Sequence, residues 1–312
     1  MSFFLDLFKT SHALNICSRT GNENAAPDKR GNMKSVRMRA GYFLRTVLCF
    51  VTLTFSTGLA FGATYYIDFN NGRDSNAGTS IESPWKTIPG TRNAQMSGWQ
   101  SSCWGNGCPG TPTVSLNNRV PAGTVFKLKS GSTHDSTNGS VIWIRRDSSG
   151  IYASDATAAD PILFQRDTTW GSGAVTFDGS GMGLTAANAE AIILVITDGI
   201  KFDGVTSRGI TIQNSGVNGL RVKDQGWDDT KDFALNYVYL YNNGTSIADY
   251  EAGAGVAGVH VRQANGVAIT NCEALGNSQK INGFLFGEYS QASTATTVTN
   301  WSATGFLGGA GK

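Results

Sequence analysis

Four basic side chains recur at matched positions in this 312-residue chain. Arg221 and Lys223 stand in GLRVKD (219–224), and His260 and Arg262 take the same places in GVHVRQ (258–263). A third copy, GFLFGE (283–288), carries Leu285 and Gly287 there and ends in Glu288. Alternate residues of a strand share a face, so Arg221, His260 and Leu285 form one predicted outward column, and Lys223, Arg262 and Gly287 the next. With strands stacked about 4.8 Å apart, Lys223 and Arg262 adjoin on one ridge and His260 lies close by. An anionic polymer suits such a ridge; a solvated row of charges is the plainer alternative. The loop KDQGWDDTKD (223–232) adds Asp224, Asp228, Asp229 and Asp232. Four carboxylates so close suit a hard cation such as calcium, which takes about six to eight oxygens. The spacing is not that of an EF-hand loop, and Lys223 and Lys231 could equally balance the charge in water. Trp227 in the same loop is the better exposed aromatic for a ligand contact, with Arg221 and Glu288 as polar contacts beside it.

What positions these residues is a repeat. Counting back from four glycines aligns IKFDGVTSRG (200–209), LNYVYLYNNG (235–244), VAITNCEALG (267–276) and TTVTNWSATG (296–305). Each reads as a period-2 strand followed by a turn. In this alignment Phe202, Tyr237, Ile269 and Val298 form one interior column, and Val205, Leu240, Cys272 and Trp301 another. Asn271 and Asn300 fall where a chain turning a corner ladders one side-chain amide on the next. Together with the basic copies, this gives at least two strands per coil. Such a unit cannot bury its apolar side alone, so the coils must stack into a solenoid. The glycines are 35, 32 and 29 residues apart, so loops of unequal length project from similar coils. Tyr237, Tyr239 and Tyr241 alternate; the columns place Tyr237 inside, although an exposed stacking platform is the other reading.

Composition agrees with a β-rich, turn-rich chain. Glycine accounts for 39 residues and charged side chains for only 15%, against about 25% in an ordinary domain. The formal charge of +2 is carried by the start: residues 1–62 hold 8 Lys+Arg and 3 Asp+Glu, which leaves 17 against 20, a net of −3. A basic nucleic-acid face is therefore not expected. Residues 34–62 read as an export signal, with Lys34, Arg37, Arg39 and Arg45 before an apolar run from Val47 to Leu59. Ala60-Phe61-Gly62 supplies small residues at the recognition positions, which places cleavage before Ala63. The run is too short for a membrane span. Residues 1–62 are thus a leader, 63–135 an N-terminal cap with the first strands, and 136–312 the coils.

The segment after that cleavage point, Tyr65-Tyr-Ile-Asp, Asn71-Gly-Arg-Asp-Ser-Asn-Ala-Gly-Thr and Ser83-Pro-Trp-Lys-Thr-Ile, resembles the opening of right-handed parallel β-helix proteins of the pectate-lyase-like superfamily. Gly123-Thr-Val-Phe-Lys-Leu-Lys-Ser-Gly, Pro161-Ile-Leu-Phe and Val175-Thr-Phe-Asp-Gly-Ser-Gly look like that group's first coils. The resemblance covers roughly residues 64–306. It implies an all-β fold, the right-handed parallel β-helix, and a secreted protein acting on an acidic polysaccharide. The reaction it implies is β-elimination on a uronate, in which a cation neutralises the carboxylate and a base removes the adjacent proton. Lys or Arg commonly serves as that base in the superfamily, and bound calcium often as the neutraliser. Lys223 and Arg262 take the basic roles here, with His260 as a competing base.

Two other functions share the scaffold. A glycoside hydrolase would need two carboxylates about 5 to 9.5 Å apart, for which Glu273 and Glu288 are the outward or turn candidates. A non-catalytic binding protein would use the coils only to present loops. Cys103 and Cys108 flank a Gly-Asn-Gly turn and suit a small disulfide in an exported chain, two unpaired thiols being the alternative. Cys272 reads as a buried, inert thiol. The chain is expected to act as a monomer. It stops at Gly308-Gly-Ala-Gly-Lys312 with no closing strand or cap, so further coils are expected beyond it.

Overall fold

The computed structural model describes residues 62–92, 120–138, 141–145, 152, 155–185, 190–223, 230–246, 256–276, 282–286 and 296–304. Within them the period-2 segments form three parallel ladders. Sheet 1 contains β1 (Thr64–Ile67), β3 (Val125–Ser130), β6 (Ile162–Gly171), β9 (Ile200–Asp203), β13 (Ala234–Asn236), β17 (Ala268–Thr270) and β20 (Thr297–Thr299). Sheet 2 contains β4 (Thr133–His134), β7 (Val175–Asp178), β10 (Ile210–Gln213), β14 (Val238–Tyr241), β18 (Glu273–Leu275) and β21 (Ser302–Thr304). Sheet 3 contains β2 (Thr91–Arg92), β5 (Val141–Arg145), β8 (Ala191–Ile196), β11 (Asn218–Val222), β15 (Ala257–Val261) and β19 (Asn282–Phe286). A short pair, β12 (Thr230–Lys231) with β16 (Ala264–Asn265), braces the corner from sheet 3 back to sheet 1.

From β3 onward the chain visits sheets 1, 2 and 3 in turn and returns one rung further on, which makes a right-handed parallel β-helix. Each coil therefore carries three strands, one more than the minimum read from the repeat. The pairing of β2 with β5 is antiparallel; the other strand pairs run parallel.

The interior is a set of stacked columns. In sheet 1 the column runs Tyr65, Phe126, Phe164, Phe202, Leu235, Ile269 and Val298. Its rings lie 5.9 Å apart between Tyr65 and Phe126, 4.9 Å between Phe126 and Phe164, and 4.7 Å between Phe164 and Phe202. Offset aromatic pairs of this kind add about 0.5–1.5 kcal/mol each beyond the area they bury.

Corners hold the coils in register. Between sheets 1 and 2, Asn271 and Asn300 adopt φ of 54° and 49°, a left-handed conformation that asparagine tolerates better than most residues. The expected amide ladder is present: Asn300 Nδ2 donates to Asn271 Oδ1, Asn271 Nδ2 to Asn236 Oδ1 at 2.9 Å, and Asn236 Nδ2 to Asp203 Oδ1 at 3.0 Å. A second ladder climbs the next corner, with Asn242 Nδ2 donating to Asn214 Oδ1 at 2.9 Å and Asn214 Nδ2 to Asp178 Oδ1 at 3.1 Å.

Three expected interior positions are corrected. Tyr237 is itself the left-handed corner residue, with φ of 55°, and lies half-buried while Leu235 fills the column. Val205 is a corner residue with φ of 69°, and both it and Trp301 are exposed. Counting back from glycines misaligned the second segment by two residues. The reason is that Asn242, not Gly244, matches Gly276: Asn242 N–H donates to Leu275 O and Gly276 N–H to Thr304 O in the same ladder.

Candidate functional site

Sheet 3 positions the basic residues. Its register is the expected one, with Arg221 opposite His260 and His260 opposite Leu285. The face is not. The six residues AIILVI of β8 and the five of β15 are buried throughout, so both faces of this sheet are covered. His260 has 0% exposure and the Arg221 side chain 11%. The open ridge expected from alternation is therefore corrected to a covered column. An uninterrupted apolar run such as AIILVI is the mark of a strand buried on both sides.

Lys223 and Arg262 sit one rung apart where the strands end. Lys223 N–H donates to Val195 O at 3.1 Å and Arg262 N–H to Val222 O at 2.8 Å, which continues the ladder past β11 and β15. Glu190, just before β8, brings these side chains together. Lys223 Nζ lies 2.6 Å from Glu190 Oε1, and an Arg221 guanidinium nitrogen lies 3.2 Å from Glu190 Oε2. Burial would raise the Glu190 carboxyl, but Arg221, Lys223 and Arg262 outweigh it and hold that carboxyl below its ordinary range. Among the described residues, three cationic side chains thus gather at one carboxylate. Desolvation by the covered sheet strengthens those charges toward an anionic group.

The remaining candidates divide. Asp224, Trp227, Asp228, Asp229 and Glu288, like Cys103 and Cys108, lie outside the described residues. Asp232 is a left-handed corner residue with φ of 58°, and its Oδ2 accepts from Ala158 N–H at 3.3 Å. Asp198, nearly buried, accepts from Lys231 N–H at 2.8 Å at the return of the same loop. Two carboxylates thus stand where the acidic loop rejoins sheet 1, although no three His, Cys, Asp or Glu side chains converge as a metal cage among the described residues. Oxygen donors of this kind fit a hard cation in type.

Glu273 is committed elsewhere. Arg208 Nε donates to its Oε2 at 2.8 Å, and the second contact is 2.6 Å, while the Arg208 guanidinium carbon lies 4.4 Å from the centre of the Tyr239 ring. Tyr239 and Tyr241 lie on the outer face of sheet 2 with ring centres 6.1 Å apart. Cys272 is buried, its thiol pushed up to about 11 chiefly by burial; that is an inert thiol.

Glu190 and Asp198 were not singled out from the sequence. Glu190 is a lone carboxylate ahead of AIILVI, and its partners come from more than 30 residues later, so no local spacing marks it.

No family model and no curated protein matches the chain. Among solved structures it is similar to one titled rhamnogalacturonan lyase, at 15% identity over 78% of this chain and 52% of that one, with a TM-score of 0.47. It is also similar to pectate lyase Pel9A, at 16% identity over 73% of this chain and 50% of that one, with a TM-score of 0.41. The chain spans about half the length of either structure. The three-sheet ladder is a right-handed parallel β-helix, the fold that the opening motifs implied.

Proposed function

We propose that this chain is a secreted polysaccharide lyase that lays a uronate-containing glycan against the cationic end of sheet 3 and cleaves it by β-elimination. The observation that carries this reading is the convergence of Arg221, Lys223 and Arg262 on Glu190 at the end of sheet 3. β-Elimination takes the proton from the carbon beside the carboxylate, forms a carbon–carbon double bond, and expels the glycosidic oxygen, which is then protonated. Lys223 and Arg221, fixed by Glu190, neutralise the uronate carboxylate, and this makes the carbon acid ionisable. Arg262, one rung from Lys223 on the same ladder, takes the position of the base. His260 is a weaker claimant for that role, since its imidazole is buried.

Calcium belongs to this proposal at the loop 224–232, where Asp224, Asp228, Asp229 and Asp232 would hold it. When bound it would supply further neutralising charge; the steps above are those of the protein's own side chains. Export with cleavage before Ala63 and action as a monomer complete the reading. No helix of the described residues is long and apolar enough to cross a membrane.

A second reading is binding without cleavage. The Lys223 ion pair favours it, because an ammonium already bound to Glu190 has less charge to give a uronate carboxylate.

The test incubates the folded chain with pectic, alginate and glycosaminoglycan polymers, following unsaturated ends by ultraviolet absorbance and reducing ends in parallel, with and without a calcium chelator. Unsaturated ends that vanish in Arg262→Ala support the lyase, and their loss with chelator adds calcium. Reducing ends without unsaturation would replace it with a hydrolase, and binding with neither signal would leave the second reading.

A further inference from the structure

The outer face of sheet 1 is built differently at one point. Strand β6 matches β3 residue by residue up to Lys129 opposite Asp167, and then Ser130 meets Gly171. Thr168, Thr169 and Trp170 have no partner across the ladder and form an outward bulge. The bulge is held rigidly. Asp167 Oδ1 accepts from the Thr169 amide at 2.8 Å and the Thr169 hydroxyl at 2.7 Å, and the Ser130 hydroxyl donates to Asp167 O at 2.6 Å. Gly171, with φ of 89°, closes it; a Cβ there would come 2.4 Å from Ser130 O. Bulges re-aim side chains, and this one brings an indole to the outer face beside Tyr66.

Trp170 meets Tyr66 with ring centres 5.8 Å apart and planes at 73°, forming an aromatic corner. Lys129 Nζ lies 5.5 Å from the centre of the indole and is neutralised by Asp68 at 2.7 Å. Lys127 stands next to Tyr66 in the register, and its ammonium donates to the neutral amide of Gln165. Among the described residues no carboxylate pairs with Lys127, so its ammonium is held by a neutral amide and can meet an anionic group. A half-buried indole, a phenol ring at nearly a right angle and a single cation with an amide beside it match one chemistry. The apolar face of a pyranose stacks on the indole while its carboxylate meets the ammonium.

We propose that Trp170, Tyr66, Lys127 and Gln165 form a second glycan site, on sheet 1, that holds a uronate residue of an acidic polysaccharide without cleaving it. It shares with the proposed function only the class of ligand, and it lies on different strands from the sheet 3 cluster. A chain held at two sites dissociates more slowly than one held at either, so the second site would keep a long polymer on the protein between cleavages.

The test measures binding of polygalacturonate, alginate and hyaluronate, with neutral galactan as the control, by affinity electrophoresis and calorimetry. It uses the whole chain carrying Lys223→Ala and Arg262→Ala, which removes the sheet 3 contribution. Adding Trp170→Ala is expected to weaken binding of at least one uronate polymer about tenfold or more, with an unchanged unfolding midpoint. Trp170→Phe should keep most of the binding, and Lys127→Gln should abolish the preference over galactan. The proposal is overturned if the background protein binds no polymer of the panel, or if Trp170→Ala and Lys127→Gln both bind as the background does. In the otherwise wild-type chain, Trp170→Ala should leave turnover of short uronate oligomers unchanged. Trp170-dependent binding with no unsaturated product would sink the lyase reading and leave this site standing.

Discussion

Two clusters of the same chemistry sit on two sheets of this β-helix and are expected to behave oppositely. On sheet 2, Arg208 pairs with Glu273 at 2.6 Å, and the two side chains are 56% and 33% exposed. At sheet 3, Arg221 and Lys223 pair with Glu190, and their exposures are 11%, 25% and 26%. Water screens the first pair and cancels most of its attraction. The second has lost much of that water, so each charge depends on its neighbours. The coil is the same in both places, and the difference comes from the outer face. Sheet 2 leaves its face to solvent with Tyr239, Glu273 and Ser302 in one row, whereas sheet 3 covers its own. An ion pair on an open face is ordinary surface, and a covered group of converging cations is a candidate site.

The sharpest way to break this contrast is Glu190→Gln. It leaves Arg221 and Lys223 facing each other without their carboxylate, and the expected loss is about 2–3 kcal/mol, below the ~3–5 of a fully buried pair. Urea unfolding checks it. A loss no larger than that of Glu273→Gln would show that burial does not separate the clusters. The same variant carries a pH signature. The Glu190 carboxyl is held below its ordinary value in the folded chain, against about 4.3 when unfolded. Its contribution is therefore complete above the unfolded value and lost as pH falls through the lower, folded one. The gap in unfolding midpoint between wild type and Glu190→Gln should be widest at neutral pH and close on acidification. Because Asp68 and Asp178 are also held low, the difference between the two proteins, not either curve alone, reports Glu190.

Between the two ion-pair clusters in expected effect stands the neutral amide ladder, which ties coils at a half-exposed corner. Asn271→Ala loses the hydrogen bonds to Asn236 and from Asn300, and at φ of 54° it removes the short polar side chain that lets asparagine tolerate that conformation. About 1 kcal/mol for the two half-exposed bonds together and a similar amount for the backbone are expected. Asn271→Gly relieves the backbone and removes only the amide, so it should recover part of the loss. Equal losses in the two variants would show that the corner conformation contributes nothing.

How far these features could be read from the sequence follows the range of the interaction. Solenoid, strand period and the Asn271–Asn300 rung are local patterns that repeat, and they were legible. The columns slipped by two at Tyr237 because two residues can fill one corner role: Asn242 occupies the place that glycine holds at 276. The burial of Arg221 and His260 was written in AIILVI, but alternation in the neighbouring strands argued for an open face. Glu190 was out of reach because its partners lie 31 and 33 residues ahead, on the next coil. The Trp170 bulge was hidden for a related reason, since the register shift that creates it exists only once β3 and β6 are paired.

The smallest expected effect is the most discriminating. Glu273→Gln removes the partner of Arg208 on sheet 2, yet the guanidinium keeps its place over the Tyr239 ring, 4.4 Å from ring carbon centre to guanidinium carbon, and water replaces the carboxylate. Exposed pairs of this kind contribute little by double-mutant measurement, so no resolvable shift of the urea midpoint is expected at physiological ionic strength. A small shift that appears at low salt and disappears at high salt would still fit, because it is screening that separates the two clusters. A large, salt-independent loss would mean that Arg208, Tyr239 and Glu273 act as a staple across coils. In that case the open face of sheet 2 would be as tightly organised as the covered end of sheet 3, and burial alone could no longer mark the site.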